Sequence, residues 1–184
     1  MDRPTTSESD AAFDALLVTL VWSGDRQAAR RLAVRWQPRL LRTARRLLQD
    51  PDGATSAVQD SWVAIFRGIH RLDDPARFAP WAFGILRHKC LDRIRTAQAR
   101  RGRSGELAEE NLRAPGRAPE ERLAILQAFA ALPGDQRLAA HLHYTEGLTL
   151  AEIAAATGAP EGTVKSRLFN ARRRLKAVLQ GDDA

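Results

Sequence analysis

Apolar residues recur along this chain at helical steps, no segment sustains a period of two, and Val and Ile are scattered rather than clustered. The pattern predicts an all-α protein. Helices are expected over about residues 10–22, 25–35, 37–49, 54–69, 76–100, 119–132, 134–146, 149–157 and 161–180. Several ends carry their own signals. Pro119 followed by Glu120 and Glu121 suits a first turn, where a missing N–H costs nothing and carboxylates meet the positive end of the helix dipole. Thr149 with Glu152 makes a capping box, and Gly147 and Gly158 stand where helix C-termini favour a left-handed residue. Asp73, Asp74 and Pro75 read as a turn and a cap.

The helical pattern breaks at GRSGELAEENLRAPGRAP, where Gly, Pro and polar residues gather and no apolar period continues. Two small helical domains are therefore expected, over 13–101 and 119–180. A flexible linker over 102–118 joins them, with short tails at 1–12 and 181–184. Four Trp and six Phe in a chain that is 44% hydrophobic are enough for two such cores.

Charge adds a direction. The formal net charge is +7, and 26 of the 29 cations are Arg, the side chain that forks onto phosphate and stacks on bases. Residues 1–101 carry 18 cations against 11 acids, whereas 120–184 carry eight of each. That neutral segment is polarised: Glu120 to Glu161 holds six acids and two Arg, and Gly162 to Gly181 holds six cations and no acid. The segregation builds one basic surface, which favours nucleic acid as a partner.

In TLAEIAAATGAPEGTVKSRL a short capped helix, a turn glycine and a second helix follow at helix-turn-helix spacing. Val164, Leu168, Ala171 and Leu175 form the packing face of the second helix. Off that face, Thr163, Lys165, Ser166, Arg167 and Asn170 stand where a recognition helix presents side chains to base edges. Arg172, Arg173, Arg174 and Lys176 follow as clamps for the backbone phosphates. In the N-terminal half, the helix beginning near Trp81 interleaves Trp81, Phe83, Ile85, Leu86, Leu91 and Ile94 with Arg87, Lys89, Arg93 and Arg95. Aromatics beside cations stack on unpaired bases while Arg tracks phosphates, although Trp62, Phe66, Phe78, Trp81 and Phe83 serve a core equally well. The residues alone thus leave two readings open: a chain with two nucleic-acid surfaces, or an autonomous helix-turn-helix regulator whose N-terminal half senses a ligand or dimerises.

Taken together, the segments GDRQAARRLAVRWQPRLLRTARRLLQDPDGATSAVQDSWVAIFRGIHRLDD, RFAPWAFGILRHKCLDRIR, LPGDQR, YTEGLTLAEIA and GTVKSRLFNARRRL resemble regions 2 and 4 of bacterial sigma factors of the extracytoplasmic-function (ECF) group, over residues 13 to 178. The resemblance implies a dissociable promoter-specificity subunit and not an enzyme. Its partners would be the RNA polymerase core, through the β′ clamp and β flap, promoter DNA and, as often in the family, an anti-sigma protein. It implies that Val58, Gln59, Asp60 and Trp62 dock on the core. It also implies that His70, Arg71, Phe78, Trp81, Arg87, His88, Lys89, Asp92 and Arg93 meet the minus-10 element, and that Thr163, Lys165, Ser166, Arg167 and Asn170 read the minus-35 element. The chain departs from the family pattern in Gly53 to Ala57, where an acidic run is usual, in Gly84, where Arg is frequent, and in His88, where Asn is frequent.

Other chemistry has no support in the residues. A single cysteine, Cys90, excludes an internal disulfide. The pairs His88 with Cys90 and His141 with His143 lack the i, i+4 spacing of a helical metal site, so no metal and no cofactor are expected. No nucleophile constellation or Gly-rich phosphate loop is present. No segment has the 18 to 20 apolar residues of a membrane span, and the polar start lacks the apolar core of a signal peptide. A cytoplasmic protein without membrane contact is the expectation.

Overall fold

The computed structural model describes residues 8–48, 50–104 and 127–180. Among these the helices are α1 (Glu8–Trp22), α2 (Arg26–Leu48), α3 (Pro51–Gly68), α4 (Phe78–Ser104), α5 (Gly134–Tyr144), α6 (Leu150–Thr157) and α7 (Glu161–Gln180), with no strand. Short 3₁₀ turns at Ile69–Arg71 and Pro75–Arg77 join α3 to α4, and 127–130 is helical ahead of α5.

Three of these elements depart from the sequence pattern. The helices expected over 25–35 and 37–49 are one continuous α2 with Pro38 inside it. Proline cannot donate to the carbonyl of Val34, which costs about 3 kcal/mol in a helix interior. Leu32, Trp36 and Leu40, however, lie fully buried on one stripe of the continuous helix. Burying each contributes roughly 1.5–3 kcal/mol, so packing outweighs the proline. Val34 and Pro38 are both exposed, which leaves the orphaned carbonyl on the solvent side. At the other end of this unit, α4 continues to Ser104, beyond the expected end at 100, and α1 begins at Glu8, inside the expected tail. There Asp10 accepts from Arg35 at 2.7 Å, which ties the first turn of α1 to α2. The rest of the expected linker, and residues 119–126 of the helix expected after it, lie outside the described residues.

Helices α1 to α4 form one unit around Trp36. Its indole meets Phe78 edge-on at 4.9 Å and Phe83 at 5.6 Å, an arrangement that aromatic quadrupoles favour. The entries to α3 and to the 3₁₀ turn ahead of α4 are capped: Asp50 accepts from the Asp52 amide and Asp74 from the Ala76 amide, each directly before a proline. Helices α5 to α7 form the second unit. Thr149 and Glu152 make the reciprocal capping box at the start of α6, and Gly158 ends it at φ 66°. That left-handed conformation suits glycine and turns the chain through Ala159 and Pro160 into α7. Val164, Leu168 and Ala171 bury the expected face of α7.

The buried residues of both units join in a single cluster, because α6 packs on α4 and α5 packs on α2. The two expected cores are therefore in contact.

Candidate nucleic-acid interfaces

On α7 the helical period separates packing from presentation. Lys165, Ser166, Arg172, Arg173, Arg174 and Lys176 are exposed, while Thr163, Arg167 and Asn170 are half-buried at the edge of the packed face. Two of the cations are held by α5. Arg167 pairs with Asp135 in the first turn of that helix, and Arg172 donates from Nε and Nη2 to the Tyr144 hydroxyl at 3.1 and 3.0 Å. These contacts limit the rotamers of long side chains, which lowers the entropy lost when they meet a target. Ser166 bonds the Thr163 carbonyl at 2.9 Å within the helix. Phe169, which the basic pattern did not single out, is 64% exposed on the same helix. Its position between two expected contact residues, Arg167 and Asn170, was the available signal.

The N-terminal unit treats its expected contact residues unevenly. His70 and Arg71 are exposed on the first 3₁₀ turn. Trp81 is half-buried, with its ring 6.1 Å from Phe78 and its edge against Gly68. Along α4, His88 and Asp92 are exposed, while Arg87, Lys89 and Arg93 are half-buried. Phe78 corrects the expectation: it is 1% exposed and wedged against Trp36, so its face is not available to a base. Phe83, equally ambiguous by sequence, is core for the same reason.

The residues expected on the core-docking helix also divide. Val58 is fully buried and cannot be a contact residue, because it fills the packed face of α3. Gln59 and Asp60 are exposed. Trp62 is half-buried, stacks on Phe66 at 5.3 Å and donates Nε1–H to Gln37 Oε1 at 2.6 Å. Phe66 and Val63 continue this face outward at 37% and 51% exposure, so an apolar patch stands beside Gln59 and Asp60. Asp60 reaches the other expected surface through Arg93, at 2.8 Å.

A group with no local signal in the chain lies between the two units. Glu146, in the turn after α5, is 3% exposed. Arg39 donates Nε–H to its Oε2 at 2.7 Å, and Arg42 Nη2 approaches Oε1 at 3.2 Å. His141 sits beside it, and burial lowers its imidazole to about 4, with Arg46 and Arg42 adding to that shift and Glu146 opposing it. The ring is neutral at neutral pH. The Thr43 hydroxyl donates to the Arg39 carbonyl at 3.0 Å, which leaves its oxygen to accept from His141 Nε2 at 3.0 Å.

Cys90 is buried, and burial pushes its thiol up to about 12 against the opposing Arg93 charge. With His88 exposed, the two do not share a surface. Among the described residues no group of three His, Cys, Asp or Glu side chains could hold a metal ion, and no helix is long and apolar enough to cross a membrane.

Comparison with known proteins gives a consistent picture. Residues 32–100 match the family model for sigma-70 region 2, and residues 122–175 match that for sigma-70 region 4. The chain is 32% identical over 170 residues to the ECF RNA polymerase sigma factor SigM of Mycobacterium tuberculosis (strain ATCC 25618 / H37Rv), covering 90% of this chain and 84% of that protein. It is 28% identical over 187 residues to the ECF RNA polymerase sigma-E factor of Escherichia coli (strain K12), covering 94% and 97%. Its structure is similar to that of CnrH in complex with the cytosolic domain of CnrY, with a TM-score of 0.68 and 26% identity over 93% of this chain and 99% of that one. It is also similar to the sigma factor RpoE in complex with the anti-sigma factor NepR from Bartonella quintana, with a TM-score of 0.72 and 25% identity over 83% and 97%.

Proposed function

The chain belongs to the ECF group of the sigma-70 family and is a sigma factor, and on that premise we propose how its surfaces divide the work of initiation. The exposed basic face of α7 reads the minus-35 element in the major groove. Thr163, Lys165, Ser166, Arg167 and Asn170 face base edges there, and Arg172, Arg173, Arg174 and Lys176 hold phosphates. The observation that carries this is the separation of faces on α7: Val164, Leu168 and Ala171 are buried, while the cations stand outward behind a capped turn. The minus-10 element meets His70, Arg71, Trp81, Arg87, His88, Lys89, Asp92 and Arg93, which combine a stacking ring with a phosphate track. Phe78 supports Trp81 from below instead of touching DNA.

Gln59, Asp60 and Trp62 dock on the polymerase core, together with the apolar patch of Val63 and Phe66. Val58 holds the helix that carries them. The chain also pairs with a protein antagonist, a reading supported by the solved sigma factor in complex with its anti-sigma factor. Action is in the cytoplasm, and the chain itself performs no catalysis.

The test is transcription by purified core polymerase, with and without this protein, on fragmented DNA from its source, with the new 5′ ends mapped. Discrete starts that share two upstream elements are expected. Sequence-specific duplex binding by the protein alone, with no new starts, would overturn the division of labour in favour of an autonomous regulator.

A further inference from the structure

Helix α5 holds two arginines of α7, and it holds them with different chemistry. In its first turn the Asp135 carboxylate accepts from Arg167 Nη2 through Oδ2. In its last turn the Tyr144 hydroxyl accepts from both Nε and Nη2 of Arg172, at 3.1 and 3.0 Å. The Tyr144 ring stands edge-on to His143 at 4.9 Å, and His143 donates Nδ1–H to the Leu148 carbonyl at 3.0 Å, so the hydroxyl is itself held in place. One partner is an anion and the other is neutral. Neither belongs to the helix-turn-helix formed by α6 and α7.

That difference decides how much charge each guanidinium presents to DNA. A phosphate attracts charge wherever it lies, whereas a base edge is read as a pattern of donors and acceptors. The charge of Arg167 is balanced by Asp135, which weakens its pull toward any phosphate and leaves its remaining N–H groups for a directional contact. Arg172 keeps its full charge, because a phenol hydroxyl turns the guanidinium without neutralising it. An unpaired arginine in the place of Arg167 would settle on backbone oxygens, which every duplex offers at every step. The pair itself is too exposed to matter much for stability, since the Asp135 side chain keeps 54% of its surface and that of Arg167 23%. What it contributes is direction.

We propose that Asp135 is a positioning residue for promoter reading: its carboxylate keeps Arg167 off the phosphates and aims it at a base edge, while Tyr144 aims Arg172 at the backbone. Asp135 thereby lowers affinity for DNA at large and raises discrimination. The proposal rests on the assignment of α7 to the minus-35 element.

The experiment uses the holoenzyme formed from the full chain and purified core polymerase. The probe is a duplex around one mapped start, with every single-base variant of its upstream element, titrated at several salt concentrations. Arg167→Ala should weaken the preference at one upstream position and so identify it. Asp135→Asn keeps the shape of the side chain and removes its charge. It should lower that same preference about fivefold or more, the low end of what one bidentate contact discriminates. Binding to mismatched duplexes should tighten at the same time, with a log–log salt slope steeper by about 0.9, the mark of one more phosphate held. Asp135→Glu retains the charge and should retain most of the preference. Tyr144→Phe should weaken binding to every duplex alike and leave the preferences as they are. Glu161→Gln, at an exposed acid in the first turn of α7, gives the effect of removing one negative charge from the same surface.

An unchanged preference and an unchanged slope in Asp135→Asn overturn the proposal. So does a change that Glu161→Gln matches, which makes the carboxylate a bulk charge, or an equal loss on every sequence, which makes it a support for the fold. If Asp135→Asn loses helical signal in circular dichroism, Asp135→Ser decides in its place. In a chain that already carries Arg167→Ala, Asp135→Asn should add nothing beyond the effect of Glu161→Gln. If Arg167→Ala moves no preference, the minus-35 role of Arg167 fails and the positioning falls with it. If Arg167→Ala moves one preference and Asp135→Asn does not, the minus-35 role stands and only the positioning falls.

Discussion

The two units solve the same problem by different means. In residues 8–104 the helices are long, and Trp36, Phe78 and Phe83 make a core in which large aromatic rings lock α2 to α4. In residues 127–180 the buried side chains are smaller, among them Ala139, Ala140, Ile153, Ala156, Val164 and Ala171. Helix α6 has only eight residues, so the capping box and the Gly158 turn carry more of its definition. The first unit is held by area, the second by geometry. The same contrast governs function: the aromatic unit withdraws two expected contacts, Val58 and Phe78, into its core, while the small-residue unit leaves its cations outside.

The hardest blow to this contrast is Trp36→Ala. Loss of a fully buried ring should cost about 3–5 kcal/mol and lower the urea midpoint of the first unit. A loss below about 1 kcal/mol would mean that the aromatic core is not what holds it.

Acid should act next, and at the seam. His141 titrates near 4 when folded and near its ordinary 6.5 when unfolded. Between those values the unfolded chain holds the extra proton, so stability from this group is complete above about pH 6.5 and falls as pH drops toward 4. The slope is at most about 1.4 kcal/mol per pH unit for one proton, or about 3 kcal/mol over the window. Urea titrations across that range check it, and His141→Gln should flatten the slope.

Arg167→Ala should weaken discrimination at one upstream position by about 1–3 kcal/mol. Binding measured on a panel of single-base variants distinguishes this from an equal loss on every sequence, the mark of a phosphate contact. Thr149→Ala removes the hydroxyl of the capping box and should cost about 1 kcal/mol in the second unit, read from its thermal unfolding. Smallest is Asp60→Ala. Its pair with Arg93 is exposed, and surface pairs contribute about 0–1 kcal/mol, so stability should hardly move. Binding to core polymerase should fall, which a pull-down with purified subunits would measure.

Local signals made much of this molecule legible. The capping box, Gly158 and the bounds of α7 follow from short-range chemistry, as does the outward placement of Lys165, Arg172, Arg173 and Arg174, because one helix face packs and the other cannot. Where the sequence was ambiguous, the ambiguity was physical: an aromatic beside cations suits a base or a core equally well. Trp81 stays partly open and Phe78 does not, since only the arrangement of α2 against α4 puts Trp36 behind Phe78. The merging of the helices expected over 25–35 and 37–49 has a related reason, because the local helix penalty at Pro38 is decided against burial that only the assembled unit provides.

By itself, then, the sequence determined the all-helical class, the division into two modules, the capped helix-turn-helix and its basic face. All of these depend on residues within a few turns of one another. Tertiary structure alone decided that the modules touch, that Gly84 makes room for Ala156, and that Glu146 finds Arg39 and Arg42. Those partners are 107 and 104 residues away in the chain, and no periodicity links them. The acid in a turn looks like any exposed acid until packing removes its water and two guanidinium groups replace it.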